Sequence, residues 1–221
     1  MPQGTRVLIV DDDPFTRMML TTTLQTVECA VVGDAQTAAD ALRLARELQP
    51  AVAIVDLDLG EGPTGIDLAH GLRNLNSAVG IVMLSTYEEP RLMGQNQPPL
   101  PEGSIYLVKK TVVDPEVLGR AVRMSIDPQV REGRVAAGLS SESQTPTKLT
   151  DLQIDIMRMV AAGHSNTEIA RRRSLTVPSV EKAVARLIKL LDLQATPDQN
   201  QRVMIAQVYY QLTGAVSARR S

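Results

Sequence analysis

Val7-Leu8-Ile9-Val10-Asp11-Asp12-Asp13 is an apolar run that passes without a break into three carboxylates. A second junction of this kind is Ile54-Val55-Asp56-Leu57-Asp58. Such a run is too short for a helix of normal length and does not alternate. It reads as a strand buried on both faces, with polar chemistry at its carboxyl end. Working outward, the expected strands are residues 6–10, 30–33, 52–55, 80–84 and 105–108. Residues 14–26, 37–48 and 65–75 lie between them. In the second of these, Ala38, Ala41, Leu42, Ala45 and Leu48 recur at helical spacing; Asp34 or Thr37 starts it and Pro50 stops it. A further helix is expected from Pro115, which follows the capping residue Asp114. Repeated β–α units predict an α/β fold, a doubly wound parallel five-stranded sheet. The fourth crossover is the exception. Residues 88–103 contain Pro90, Gly94, Pro98, Pro99, Pro101 and Gly103, so a loop with at most a turn or two of helix is expected.

The chain of 221 residues is 43% hydrophobic and 22% charged, which suits one large or two small globular domains and excludes wholesale disorder. Its apolar runs fall far short of the roughly 20 residues that cross a bilayer. Met1-Pro2-Gln3-Gly4 lacks the basic start of a secretory signal. Cys29 is the only cysteine and is expected to be a small core residue; His70 and His164 are too few for a metal cluster. A soluble, cytoplasmic protein without a membrane partner is the expectation. Charge is split unevenly. From Thr147 onward there are 11 Lys+Arg against 6 Asp+Glu, and the preceding residues hold 12 against 19. An acidic half joined to a basic half suggests two tasks.

In an open parallel sheet, ligands bind beyond the carboxyl ends of the strands, where the winding direction reverses. Right-handed crossovers make strands one and three neighbours there, so two or three carboxylates from Asp11-Asp12-Asp13 and from Asp56-Leu57-Asp58 are expected to converge. Clustered carboxylates repel, and a hard divalent cation such as Mg²⁺ relieves them while leaving room for phosphate oxygens. A carboxylate beside such an ion can attack a phosphoryl group. Strand four ends in Leu84-Ser85-Thr86 and strand five in Val108-Lys109-Lys110, a hydroxyl and an ammonium that can each hold a phosphoryl oxygen.

With these residues in place, residues 5 to about 125 resemble the receiver domain of bacterial two-component response regulators, a flavodoxin-like fold. The resemblance rests on Asp11, Asp12, Asp56, Ser85 and Lys109. It implies that Asp56 is the phosphoacceptor for a sensor histidine kinase or a small phosphodonor. It implies that Asp12, Asp56 and the backbone carbonyl of Asp58 hold Mg²⁺ with help from Asp11. Ser85 and Lys109 would contact the phosphoryl group, and Tyr106 matches an aromatic switch position. Two features depart from the family: Gly60 stands where proline is common, and the fourth helix looks degraded.

Residues 126–147 are small and polar and read as a linker. Beyond it an all-α four-helix domain is expected, with helices at residues 150–162, 166–172, 177–191 and 198–212. Gly163 closes the first, Ser165 and Glu168 form a capping box for the second, and Thr176 with Pro178 starts the third. The short turn between the second and third suggests a helix-turn-helix. Val180, Val184, Leu187 and Leu191 give the third helix a core face, and Lys182, Arg186 and Lys189 give it a cationic stripe suited to a major groove. Arg171, Arg172 and Lys148 could neutralise flanking phosphates. Residues 148 to about 212 resemble the LuxR-type DNA-binding domain, through Leu149-Thr150, the stretch from Ala162 to Ala170, and Val180-Glu181-Lys182 with Val184 and Leu187. That resemblance assigns base contacts to the surface from Ser179 to Arg186, with Lys182 foremost. It makes residues 198–212 a dimerisation helix carrying Val203, Ala206 and Tyr210. Gln153 replaces a usual Glu, and Ala183 a common His.

The expected domains are thus 1–125, a receiver; 126–147, a linker; and 148–221, a helix-turn-helix domain. The expected function is a non-enzymatic transcription regulator that binds double-stranded DNA as a homodimer and is controlled by phosphorylation of Asp56. Two other readings stay open on the sequence. The receiver could be a phosphate-independent interaction module with the same DNA-binding output. Asp56-Leu57-Asp58 after an apolar strand also suits a haloacid-dehalogenase-type phosphatase using Asp56 and Asp58.

Overall fold

The computed structural model describes residues 4–88, 90–92, 98–131, 149–193 and 200–213. Lys148, residues 132–147 of the expected linker and the start of the last expected helix lie outside the described residues. The chain forms two compact units, Met1–Thr86 with Gln97–Glu142 and Tyr87–Asn96 with Ser143–Ser221.

The first unit alternates β1 (Thr5–Val10), α1 (Pro14–Gln25), β2 (Cys29–Ala35), α2 (Ala38–Leu48), β3 (Val52–Asp56), α3 (Gly65–Leu75), β4 (Gly80–Ser85), β5 (Ile105–Val108) and α4 (Pro115–Ser125). All strand pairs are parallel, in the order β2-β1-β3-β4-β5. Successive strand residues face opposite sides. Val7, Ile9, Ile54, Val82, Leu84, Ile105 and Leu107 therefore share one side, where they pack with Leu20 and Leu24 of α1 and Leu118, Ala121 and Val122 of α4. The intervening residues Leu8, Ala53, Val55, Ile81 and Met83 are equally buried. At about 25 cal/mol per Å² of apolar surface, this two-sided burial is the main stabilising contribution.

Local chemistry sets the helix starts. Asp13 accepts from the backbone N–H groups of Phe15 and Thr16 at the start of α1, and Thr64 and Asp67 form a reciprocal capping box on α3. Three expectations are corrected. β2 is an edge strand and mostly half-buried, not buried on both faces, because only β1 flanks it. Cys29 on it is half-buried, and that burial raises its thiol pKa. The expected linker begins too early: α5 (Pro128–Arg131) still belongs to the first unit and places Val130 in its core. Among the described residues of the fourth crossover there is one 3₁₀ turn, Pro90–Leu92, in keeping with its breakers.

The second unit contains α6 (Asp151–Ala161), α7 (Asn166–Arg173), α8 (Val177–Leu190) and α9 (Gln201–Leu212). Its core joins Ile154, Ile156, Met157 and Val160 to Ile169, Val180, Leu187 and Ile205. Leu92, from the 3₁₀ turn, is part of the same core. Among the described residues, no helix is long and apolar enough to cross a membrane.

Candidate functional site

The sheet register assembles the first site. Asp56 ends β3 opposite Leu84, Ser85 ends β4 opposite Val108, and Lys109 follows Val108. β1 lies on the other side of β3 and delivers Asp11 and Asp12 from beyond Val10. One sheet edge thus collects residues 11, 12, 56, 85 and 109.

Lys109 Nζ donates to Asp11 Oδ2 and to Asp56 Oδ2, each at 2.8 Å. Asp11, Asp12 and Asp56 each present a carboxylate oxygen within 4.8 Å of the others. Asp11 and Asp56 are buried and Asp12 is exposed, so the cluster opens to solvent on one side. Burial pushes the Asp56 carboxyl up to about 6; the bond from Lys109 opposes this, and the charge of Asp11 adds to it. Burial pulls the Lys109 ammonium down, but its bonds to Asp11 and Asp56 outweigh that and leave it above its ordinary value. One ammonium cannot balance three carboxylates. The donor set of hard oxygens with surplus negative charge therefore fits a small divalent cation.

Asp13 belongs to a different task. It caps α1, and its bond from the Thr16 hydroxyl holds its carboxyl below the usual range. The Asp58 carboxylate accepts from Gly60 N–H at 3.2 Å, and the Asp58 backbone bonds the Asp56 carboxylate. The Asp58 side chain is not among the grouped ligands. Gly60 has φ +77°, which proline cannot adopt, and this accounts for the residue found there. Ser85 is fully buried and Tyr106 half-buried on β5. Thr86 and Lys110, the chain neighbours of Ser85 and Lys109, are exposed.

Two supporting residues have no distinct sequence signal. Arg17 reaches back from α1 to the carbonyls of Asp11 (2.8 Å) and Asp12 (3.2 Å) and pairs with Asp34. It thereby fixes the loop that carries the acidic pair. Gly65 lies so close beneath Asp56 that a Cβ would stand 2.0 Å from the Asp56 carbonyl oxygen.

The second unit carries a cationic surface. Ser179, Lys182, Arg186 and Lys189 are all exposed on α8. Thr176 caps this helix through Ser179 N–H, and Val180, Val184 and Leu187 are buried on its other side. α7 ends at Ser174 in the left-handed conformation, and α8 begins at Val177. Arg171 and Arg172 are exposed but bond Glu168 of their own helix at 2.7 Å and 2.6 Å. These bonds hold the Glu168 carboxyl down at about 2. They also correct the expected capping box: Ser165 accepts from Glu168 N–H, while the Glu168 carboxylate turns to the arginines. The reciprocal box occurs instead on α6, between Thr150 and Gln153. On α9, Val203 is 53% exposed. Ala206 is half-buried, and the Tyr210 hydroxyl donates to the Ala161 carbonyl at 3.0 Å. Tyr210 is thus engaged within its own unit.

The comparisons with known proteins agree with this geometry. The response regulator receiver domain family matches residues 7–121. The chain is 27% identical over 197 residues to the transcriptional regulatory protein LiaR of Bacillus subtilis, covering 85% of this chain and 91% of that protein. It is 26% identical over 207 residues to the response regulator protein VraR of Staphylococcus saprophyticus, covering 91% and 95%. A structure of RcsB dimers bound to DNA has a similar fold, with TM-score 0.56 and 17% identity over 95% of this chain and 100% of that one. With its acidic cluster, its lysine bridge and a family match across more than half its length, the chain belongs to the response regulators with a receiver domain.

Proposed function

We propose that this chain is a DNA-binding transcription regulator of a two-component system, in which Asp56 accepts a phosphoryl group. The receiver runs through α5, which ends at Arg131, a linker follows to residue 147, and residues 148–221 serve as DNA-binding domain. The observation that carries this reading is the bridge from Lys109 to Asp11 and Asp56 beside Asp12. Asp11, Asp12 and Asp56, with the Asp58 carbonyl, would hold Mg²⁺, which when bound offsets the charge of an incoming phosphoryl group. An Asp56 carboxylate oxygen forms the new bond to phosphorus while the bond to the donor, a phosphohistidine nitrogen on a sensor kinase, breaks. Lys109 is placed to exchange a carboxylate for a phosphoryl oxygen, and Ser85 to offer a hydroxyl. The added charge, about −1.5 to −2, is what the receiver senses.

For output, the exposed stripe of Lys182, Arg186 and Lys189 on a capped helix after a short turn suits a major groove. The transcriptional role named for LiaR and the DNA bound by RcsB support the same reading. Pairing through α9 would present two such helices to duplex DNA, with Val203 and Ala206 its accessible residues. A cytoplasmic location follows from this role. The chemistry ends at one acyl phosphate on Asp56 and involves no turnover of phosphate esters.

The test is direct. Asp56→Asn abolishes uptake of acid-labile phosphate from acetyl phosphate with Mg²⁺, and retained labelling refutes the acceptor. Lys182→Ala weakens binding to the cognate operator more than to random duplex; equal losses on both remove it from base recognition. Steady hydrolysis of a phosphate ester would support the phosphatase reading instead. Equal operator affinity with and without beryllofluoride would support the phosphate-independent module.

A further inference from the structure

Arg173 follows Ile169 and Ala170, the buried residues of α7, at the spacing of one turn. It therefore leaves the helix on the side that packs inward, with its side chain 35% exposed at the rim of the core. What it meets there is Asp155 of α6, a residue only 3% exposed whose chain neighbours Ile154 and Ile156 are buried as well. Arg173 Nε lies 2.8 Å from Asp155 Oδ2, and Arg158 Nη1 donates to Asp155 Oδ1 at 3.3 Å. Each carboxylate oxygen is thus engaged by a cation, one from α6 and one from α7. Arg173 is also the last residue of α7. Behind it the turn is fixed residue by residue. Ser174 is left-handed at φ +53°, Leu175 N–H donates to the Ala170 carbonyl at 2.9 Å, and Thr176 caps α8. The end of α7 therefore determines where α8 begins.

Stability is a poor reason for this pair. The carboxylate gives up its hydration, the guanidinium is partly screened by water, and well-packed apolar side chains in the same place are commonly as stable or more so. What an ion pair has and an apolar contact lacks is direction. A guanidinium meets a carboxylate along fixed N–H axes, whereas apolar side chains repack. We propose that Asp155 and Arg173 are positioning residues for DNA recognition, their ion pair holding the end of α7 on α6 so that α8 presents Ser179, Lys182 and Arg186 to base edges at one angle. This rests on the DNA-binding reading above. Neither residue has to touch the duplex.

The experiment uses the full-length chain and a duplex that it selects from a random pool. Fluorescence anisotropy compares binding to that duplex and to an unselected one over a range of salt. Two variants separate position from stability and charge. Asp155→Leu combined with Arg173→Leu removes one charge of each sign, and Arg173→Lys keeps the charge but replaces a planar fork by a point. The double variant is expected to unfold at the urea midpoint of the unaltered chain or above it. In both variants affinity for the selected duplex falls about tenfold, while affinity for the unselected duplex and its salt dependence stay as they were. Unchanged discrimination in either variant overturns the positioning role alone. A double variant that unfolds earlier or does not fold shows the pair to be a stability device and overturns that role too. Equal losses on both duplexes place Arg173 against phosphate and overturn it likewise. No enrichment from the random pool overturns the DNA-binding reading and the proposal with it.

Discussion

Lys109 holds two buried carboxylates at once, and the charge balance of the site turns on that arrangement. Asp56 sits at about 6 against an ordinary 3.8, so the folded state favours its protonated form. The resulting penalty on folding is absent below 3.8, grows as pH rises through the interval, and is complete above about 6. A cation binds the ionised form. The rise in Tm produced by Mg²⁺ should therefore be greater at about pH 7.5 than at about pH 5; an equal rise, read by calorimetry, would detach Asp56 from the metal site. Gly65 acts by its lack of a side chain. Gly65→Ala drives a Cβ against the Asp56 carbonyl and should cost about 2 kcal/mol in urea unfolding, well above an ordinary surface substitution. At this scale Asp11, Asp12, Asp56, Ser85 and Lys109 are legible because each ends an apolar strand or directly follows one. Arg17 and Gly65 are not, because their roles depend on distances across the fold that no local pattern encodes.

Among the elements, helix boundaries followed their caps closely. Thr37, Thr64, Asp114, Thr150 and Thr176 all begin helices through side-chain bonds to the backbone. Thr176→Ala should lower the stability of the C-terminal unit by about 1 kcal/mol, measured by denaturant unfolding. Glu168 shows where a local motif misleads: two arginines one turn along attract its carboxylate more strongly than the backbone N–H of a box. Their neutralisation makes a prediction. Glu168→Gln releases Arg171 and Arg172, and the salt dependence of duplex binding should steepen by about one in the logarithmic slope. An unchanged slope would show that these arginines do not approach phosphate. β2 was legible as a strand but not as an edge, because position within a sheet is set by topology rather than by composition.

Across the whole molecule, two cores divide the stability. Ile54→Ala and Ile156→Ala each remove a buried side chain and should each cost about 3 kcal/mol. In calorimetry the first should lower the transition of the sheet unit and the second that of the helical unit. Both patterns, uninterrupted apolar runs for the strands and helical periodicity for the amphipathic helices, are legible in the sequence. Leu92 is not. It lies in a breaker-rich stretch without periodicity, and its burial is imposed by α6, which begins about 60 positions later. Crossovers of this kind ordinarily tolerate insertion and sequence drift. This one cannot, since its length must still deliver a leucine to a distant interior. Dissecting the protein between residues 131 and 149 would thus yield a tail fragment with a vacant leucine-sized hole, and the behaviour of that fragment would understate what the intact polypeptide can do.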